Sequence, residues 1–244
     1  MSVTTSLPFE LGIQILLPKD YHTDTFKGRL DLFQRLGFSK VELNIVQPEK
    51  TDPDRLIALL NDHGLSMSNF ASGATANAEG LSLSAQDEIL RAKSVQRLAE
   101  LIDFTKKFEA GIILGFIKGN PARREDGEQQ LNKSFSELLP KVEAAQTPLI
   151  LEATNRYESK VANALEDTVK IIDKYGSPHL HILPDTYHMN IEERSYLGSL
   201  ATYLDHFKSI LVSDKNSHFP GLGCLYFSEL VRLLMAIDFE GTLS

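Results

Sequence analysis

The chain is nearly without cysteine. Cys224 stands alone among 244 residues, so no disulfide can close within it. It has no basic N-terminal stretch leading into an apolar run, so no signal peptide is expected. No apolar run approaches the roughly 20 residues that a membrane span requires. Clustered basic charge is missing too. The balance is 25 Lys and Arg against 33 Asp and Glu, a net charge of −8. The longest basic cluster, Arg123-Arg124, is followed at once by Glu125 and Asp126. Phosphate-backbone binding needs concentrated Lys and Arg, so a nucleic-acid partner is not expected. No glycine-rich nucleotide loop follows the first apolar run. A cytoplasmic protein without a membrane partner is the expectation.

What the chain does have is enough apolar material, 42% of its residues, for one large core. It also shows a regular alternation. Short β-rich runs at 11–17, 40–45, 65–72, 111–117, 148–152, 181–185, 209–213 and 241–243 are separated by longer amphipathic ones. Helices are expected at 26–36, from Asp52-Pro53 to His63, from a Ser84 cap to Phe108, and at 126–145, 162–175, 191–206 and 227–237. Asp52 before Pro53 is an N-cap followed by proline at the first helical position. Gly73 to Ser84 reads as a loop. The fourth run is almost wholly apolar, as a strand buried on both faces should be.

Eight strands with seven intervening helices predict a (β/α)8 barrel, one domain over 1–244, that lacks its last helix. A doubly wound open sheet is the other arrangement of such a pattern. Polar residues at several strand ends, rather than at one switch point, favour the barrel. The seam between strands eight and one would then be covered by a neighbouring subunit, making a homo-oligomer, or by chain beyond Ser244.

Three strand ends carry the chemistry. Leu149-Ile150-Leu151 runs straight into Glu152, then into Asn155-Arg156-Tyr157-Glu158. A carboxylate at the C-terminus of a barrel strand points into the mouth of the site, unless Arg156 pairs with it as an ordinary loop ion pair. Ile182-Leu183-Pro184 runs into Asp185, with His188 three residues on. A lone histidine is usually structural; one that follows a strand-end Asp is a candidate. The third end runs from Ile210 to Asp214 and into Pro220-Gly221-Leu222-Gly223, a tight turn that either shapes a loop over the site or merely connects.

Together these segments resemble the xylose isomerase-like superfamily, and within it the sugar phosphate isomerase/epimerase group that includes the ketose 3-epimerases. The marks are Gly80-Leu81-Ser82-Leu83-Ser84, Leu114-Gly115-Phe116-Ile117-Lys118-Gly119, Glu152 with Asn155-Arg156-Tyr157-Glu158, Asp185 with His188-Met189-Asn190-Ile191-Glu192-Glu193, and Pro220-Gly221-Leu222-Gly223. The resemblance implies a divalent metal, Mn²⁺ or Mg²⁺, held by a Glu, an Asp, a His and a final Glu. Glu152 and Asp185 take the first two places, with Glu152 also the catalytic proton carrier. Glu158 and His188 would bind a small carbohydrate through its hydroxyls or carbonyl.

The chain departs from the family pattern at four points. Leu211 stands where the metal His is expected, Ser217 where a substrate-binding Arg is expected, and Lys118 where relatives often carry Arg. The final Glu would fall past Ser244. Lys215 and His218 lie close enough in sequence to compensate. The expected function is a sugar isomerase or epimerase working by metal-assisted proton transfer beside a carbonyl. The alternatives are a non-catalytic relative that binds a sugar-like ligand and, against the acidic balance, an endonuclease for abasic DNA on the same barrel.

Overall fold

A computed structural model describes residues 7–244. Eight strands form one sheet in which every pair is parallel: β1 (Glu10–Leu16), β2 (Lys40–Asn44), β3 (Ser66–Ala71), β4 (Gly111–Leu114), β5 (Leu149–Glu152), β6 (Leu180–Leu183), β7 (Ser209–Ile210) and β8 (Thr242–Leu243). The order is β6-β5-β4-β3-β2-β1-β8-β7. Closure comes just past the strand ends. Asp185 and Leu211 form an isolated parallel bridge, with Leu211 N donating to Pro184 O at 2.9 Å and Thr186 N to Leu211 O at 3.0 Å. The eight-stranded barrel expected from the sequence is therefore present.

Around it pack α1 (Asp24–Arg35), α2 (Pro53–Asp62), α3 (Gly73–Glu79), α4 (Glu88–Lys106), α5 (Arg124–Ala145), α6 (Leu165–Ile172), α7 (Thr186–Glu192), α8 (Tyr196–Thr202) and α9 (Phe227–Ala236). None of the described helices is long and apolar enough to cross a membrane. Most apolar side chains fill the layer between sheet and helices, among them Leu43, Leu98, Ile112, Phe135, Leu151 and Ile182. A second cluster of Ile113, Ile150 and Leu183, with Leu211 packed against it, is separate from that layer. Opposite it, β2 and β3 bring the polar Glu42 and Asn69 into register.

The clearest departures from the sequence expectation are in two helical regions and one cap. The segment from Gly73 to Glu79, expected as loop, is helical. Its alanines favour the helix, Thr75 Oγ1 donates to Ile45 O at 2.6 Å, and Gly80 ends it at φ 66°. Ser84 does not cap the long helix. Residues 83 and 84 instead donate their N–H groups to Ile117 O and Lys118 O. The cap is Asp87, which accepts from Ile89 N and Leu90 N. The helix expected at 191–206 begins earlier, at Thr186, because Asp185 caps it by accepting from Tyr187 N. It then breaks at Glu193, whose backbone is extended, and Ser195 caps a second helix.

Candidate active site at the barrel mouth

The strand C-termini open into a mouth of about 580 Å³ whose lining includes Glu152, Glu158, Asp185, His188, Leu211 and Ser217. A side cavity of about 90 Å³ adjoins it, walled by Lys118, Gly119, Asn120, Thr154 and Ser159 and sharing Glu152, Glu158 and His188 with the mouth. The four site residues chosen from sequence thus line one opening.

Asp185 owes its position to two roles in one residue. As N-cap of α7 its Oδ1 accepts from Tyr187 N at 2.7 Å, and Ser213 Oγ donates to the same oxygen at 3.4 Å. His188 follows on the first turn, which brings it back toward the same opening. Its Nδ1 accepts from the buried backbone N–H of Asn155 at 3.3 Å and lies 2.8 Å from Asn155 Nδ2. A backbone N–H can only donate, so Nδ1 is unprotonated and the proton of neutral His188 sits on Nε2. That nitrogen is 3.7 Å from Glu152 Oε1. Burial, with the Lys118 cation adding to it, pushes His188 down to about 4, so the ring is neutral at physiological pH.

Glu158 is held by Asn155, whose Nδ2 donates to Oε1 at 3.2 Å. Arg156 does not pair with Glu152. Its guanidinium and backbone N–H all go to Glu192, at 2.7 to 2.8 Å, which ties the β5 loop to α7. Glu152 therefore stays without an arginine partner. Burial first, then repulsion from Asp185, push it up to about 8, against the pull of Lys118. Asp185 is pushed up to about 6, burial outweighing the N–H groups of Tyr187 and His188.

The donor set can be tested against a divalent ion. One ligand atom each from Glu152, Asp185 and His188 lie within 4.8 Å of one another, close enough for one ion with metal–oxygen bonds of roughly 2.0–2.6 Å. The hydrogen bonding of His188 directs Nε2–H, not a lone pair, at that point. The two carboxylates are the fitting ligands, and they suit a hard cation with water completing its shell. Leu211, expected within strand seven, lies just past β7 at the mouth and packs on Ile113, Ile150 and Leu183. Of the proposed substitutes, Lys215 and His218 are exposed and do not line the mouth.

The Pro220-Gly221-Leu222-Gly223 turn proves to be wrapped round a buried carboxylate. Asp214 accepts from the N–H groups of Lys215, Gly221, Gly223, Cys224 and Leu225 at 2.8 to 3.2 Å. Burial works to raise its pKa, but the donors together hold it below the usual range. Residue 223 is glycine because a Cβ would fall on Asp214 Oδ1.

Sequence reasoning missed Glu42. It is wholly buried on β2, takes a hydrogen bond from Gln14 Nε2, and leaves Oε2 without a partner among the described residues. Burial pushes it up to about 7 against the hydrogen bonds of Gln14 and Asn69, with Asp185 adding repulsion. The signal was a lone acid inside Val41-Glu42-Leu43. A carboxyl whose folded pKa exceeds its ordinary 4.5 favours the fold below pH 4.5, and that support is lost as pH rises toward 7. Glu42→Gln is thus expected to be close to neutral at pH 4.5 and to stabilise at pH 8, by up to about 3 kcal/mol. Urea unfolding at the two pH values checks this; a variant less stable than wild type at pH 8 contradicts it.

Fold and site together define a (β/α)8 barrel with convergent strand-end carboxylates and a neutral histidine, the arrangement of barrel enzymes that work at their C-terminal face. The chain belongs to the xylose isomerase-like TIM barrel family, whose model matches residues 30–244. A probable ketose 3-epimerase of Synechocystis sp. is 24% identical over 219 residues, 85% of this chain and 73% of that protein. A D-psicose 3-epimerase of Enterocloster bolteae is 31% identical over 109 residues, and the match spans 45% of this chain and 36% of that relative's length. Among solved structures, a 3-keto-D-glucoside 4-epimerase of E. coli superposes with a TM-score of 0.80 at 19% identity, over 96% of this chain and 90% of that one.

Proposed function

We propose that the chain is a carbohydrate epimerase or isomerase that moves a proton on the carbon beside a carbonyl. The observation that carries this reading is the convergence of Glu152, Asp185, Glu158 and His188 on one solvent-open mouth. The relatives named as sugar epimerases support it.

Glu152 is the proton carrier. Its raised pKa leaves it able both to accept and to return a proton near neutrality, where general acid–base catalysis is most effective. His188 Nε2–H donates to a substrate oxygen, while Glu158 accepts from a hydroxyl. Glu152 and Asp185 would hold Mn²⁺ or Mg²⁺. Such an ion, when bound, supplies Lewis-acid polarisation of a carbonyl.

Among the described residues, those lining the mouth include no Lys or Arg, and the Lys118 amine in the side cavity already donates to two main-chain carbonyls. Among the described residues a phosphate would meet several carboxylates and no free cation, so the substrate class is a neutral sugar rather than a sugar phosphate. The test is incubation with D-psicose or D-fructose and Mn²⁺ in D₂O, followed by proton NMR. The expected result is loss of the signal from the carbon beside the carbonyl. Folded protein that exchanges no proton of either ketose would overturn the reading.

A further inference from the structure

Lys118 is 1% exposed, and a buried amine is costly unless it is hydrogen-bonded. A methionine would fill similar space without that cost, so the donors must matter. Lys118 ends the tight turn Phe116–Lys118 that follows β4. Its backbone is fixed from one side, where Leu83 N and Ser84 N donate to Ile117 O and Lys118 O. Its side chain crosses to the other side. Nζ donates to Glu152 O at 2.5 Å and to Ala162 O at 3.3 Å.

These two carbonyls bracket the loop that carries Asn155 and Glu158. Ala162 is itself unusual, a non-glycine residue with φ 54°. A left-handed alanine persists only where its surroundings over-determine it. Here its carbonyl is held twice, by Lys118 Nζ and by Thr154 N at 3.0 Å. The loop is closed further by Ser159 Oγ donating to Gly119 O at 2.8 Å, beside Lys118.

We infer that Lys118 is a positioning residue. Its Nζ fixes the direction in which β5 leaves the barrel, and through that main chain it sets the carboxylates of Glu152 and Glu158. The role needs only N–H donors in the right place. It rests on the reading of Glu152 and Glu158 as working groups.

The test compares Lys118→Met and Lys118→Arg by amide hydrogen exchange and by solvent exchange of D-fructose with Mn²⁺. In Lys118→Met the amides of Thr154, Glu158 and Ser159 should exchange at least about 30-fold faster, while those of β1 to β3 stay within about 3-fold, because opening is local. The D-fructose exchange rate should fall about 100-fold, the effect of a displacement near 1 Å. Lys118→Arg, whose guanidinium N–H groups can still donate to both carbonyls, should restore both readings to within about 5-fold. Uniform acceleration over the whole barrel, no acceleration, or failure of Arg to restore would overturn the inference. If Lys118→Met does not fold, the wild type decides. Its Nζ protons should give a slowly exchanging NMR signal with couplings to the carbonyls of Glu152 and Ala162; their absence overturns the inference. A wild type that exchanges no ketose proton defeats the functional reading, while the amide pattern still scores the pinning by itself.

Discussion

Glu152→Gln should reduce solvent exchange of the ketose proton by roughly 10³-fold while leaving the barrel intact. Removal of a positioned acid–base group typically costs about 10²–10⁴-fold, and glutamine occupies nearly the same volume. The fold itself should not suffer. The folded-state pKa of Glu152 is about 8 against an ordinary 4.5. Its contribution to stability is therefore present below pH 4.5 and is lost as pH rises toward 8. A neutral amide removes that burden, so at pH 8 the variant should melt no lower than the wild type. Loss of exchange with an unchanged or higher Tm is the pair of results expected. Exchange that survives at the wild-type rate would remove Glu152 from the chemistry.

Gly115→Ala should be nearly as damaging to function, for a steric reason. Gly115 lies just past β4, at φ −87° and ψ −101°, next to the end of β5. A Cβ placed there overlaps Glu152 Oε2 and comes within 3.4 Å of its Cδ. The carboxyl group must swing away, since the methyl cannot. A shift near 1 Å in a reacting group is enough to cost about 100-fold. The expected outcome is a loss of ketose exchange on that scale, together with weaker Mn²⁺ binding by calorimetry, because Glu152 is one of the two carboxylates suited to the ion. Wild-type exchange and Mn²⁺ affinity in a folded Gly115→Ala protein would show that Glu152 does not work from the position described.

The two variants probe the same carboxylate, yet only one of them could have been chosen from the sequence. Glu152 announced itself by standing at the end of an apolar strand. Gly115 reads as an unremarkable glycine inside the expected fourth strand, and its proximity to Glu152 depends on β4 lying beside β5. His188 is an intermediate case. Its spacing from Asp185 was visible, but its tautomer was not, because the donor to Nδ1 is the main chain of Asn155, 33 residues away in sequence. That donor separates a hydrogen-bonding histidine from a metal ligand.

The helical elements divide along similar lines. Asp52-Pro53 marked α2 correctly because capping is local chemistry. The Gly73–Glu79 helix was obscured by its glycine, serine and asparagine neighbours; a hydrogen bond from Thr75 to the Ile45 carbonyl helps to hold it. Arg156 could have been assigned to Glu152; it went to Glu192 because α7 starts at once after Asp185 and carries Glu192 over the β5 loop.

The sequence by itself determined the barrel and three of its strand ends, since alternating apolar runs and carboxylates at their C-termini are properties of neighbouring residues. The Leu211 departure came from the resemblance to the family, which expects a histidine at that position. Only the tertiary structure decided that Lys118 bridges two loops, that Glu42 lies buried in the strand wall, that Asp214 is the centre of the Pro220–Gly223 turn, and that Glu152 has no arginine partner. Each of these depends on which distant segment fills the space beside a side chain, and burial is set by neighbours in space rather than in sequence.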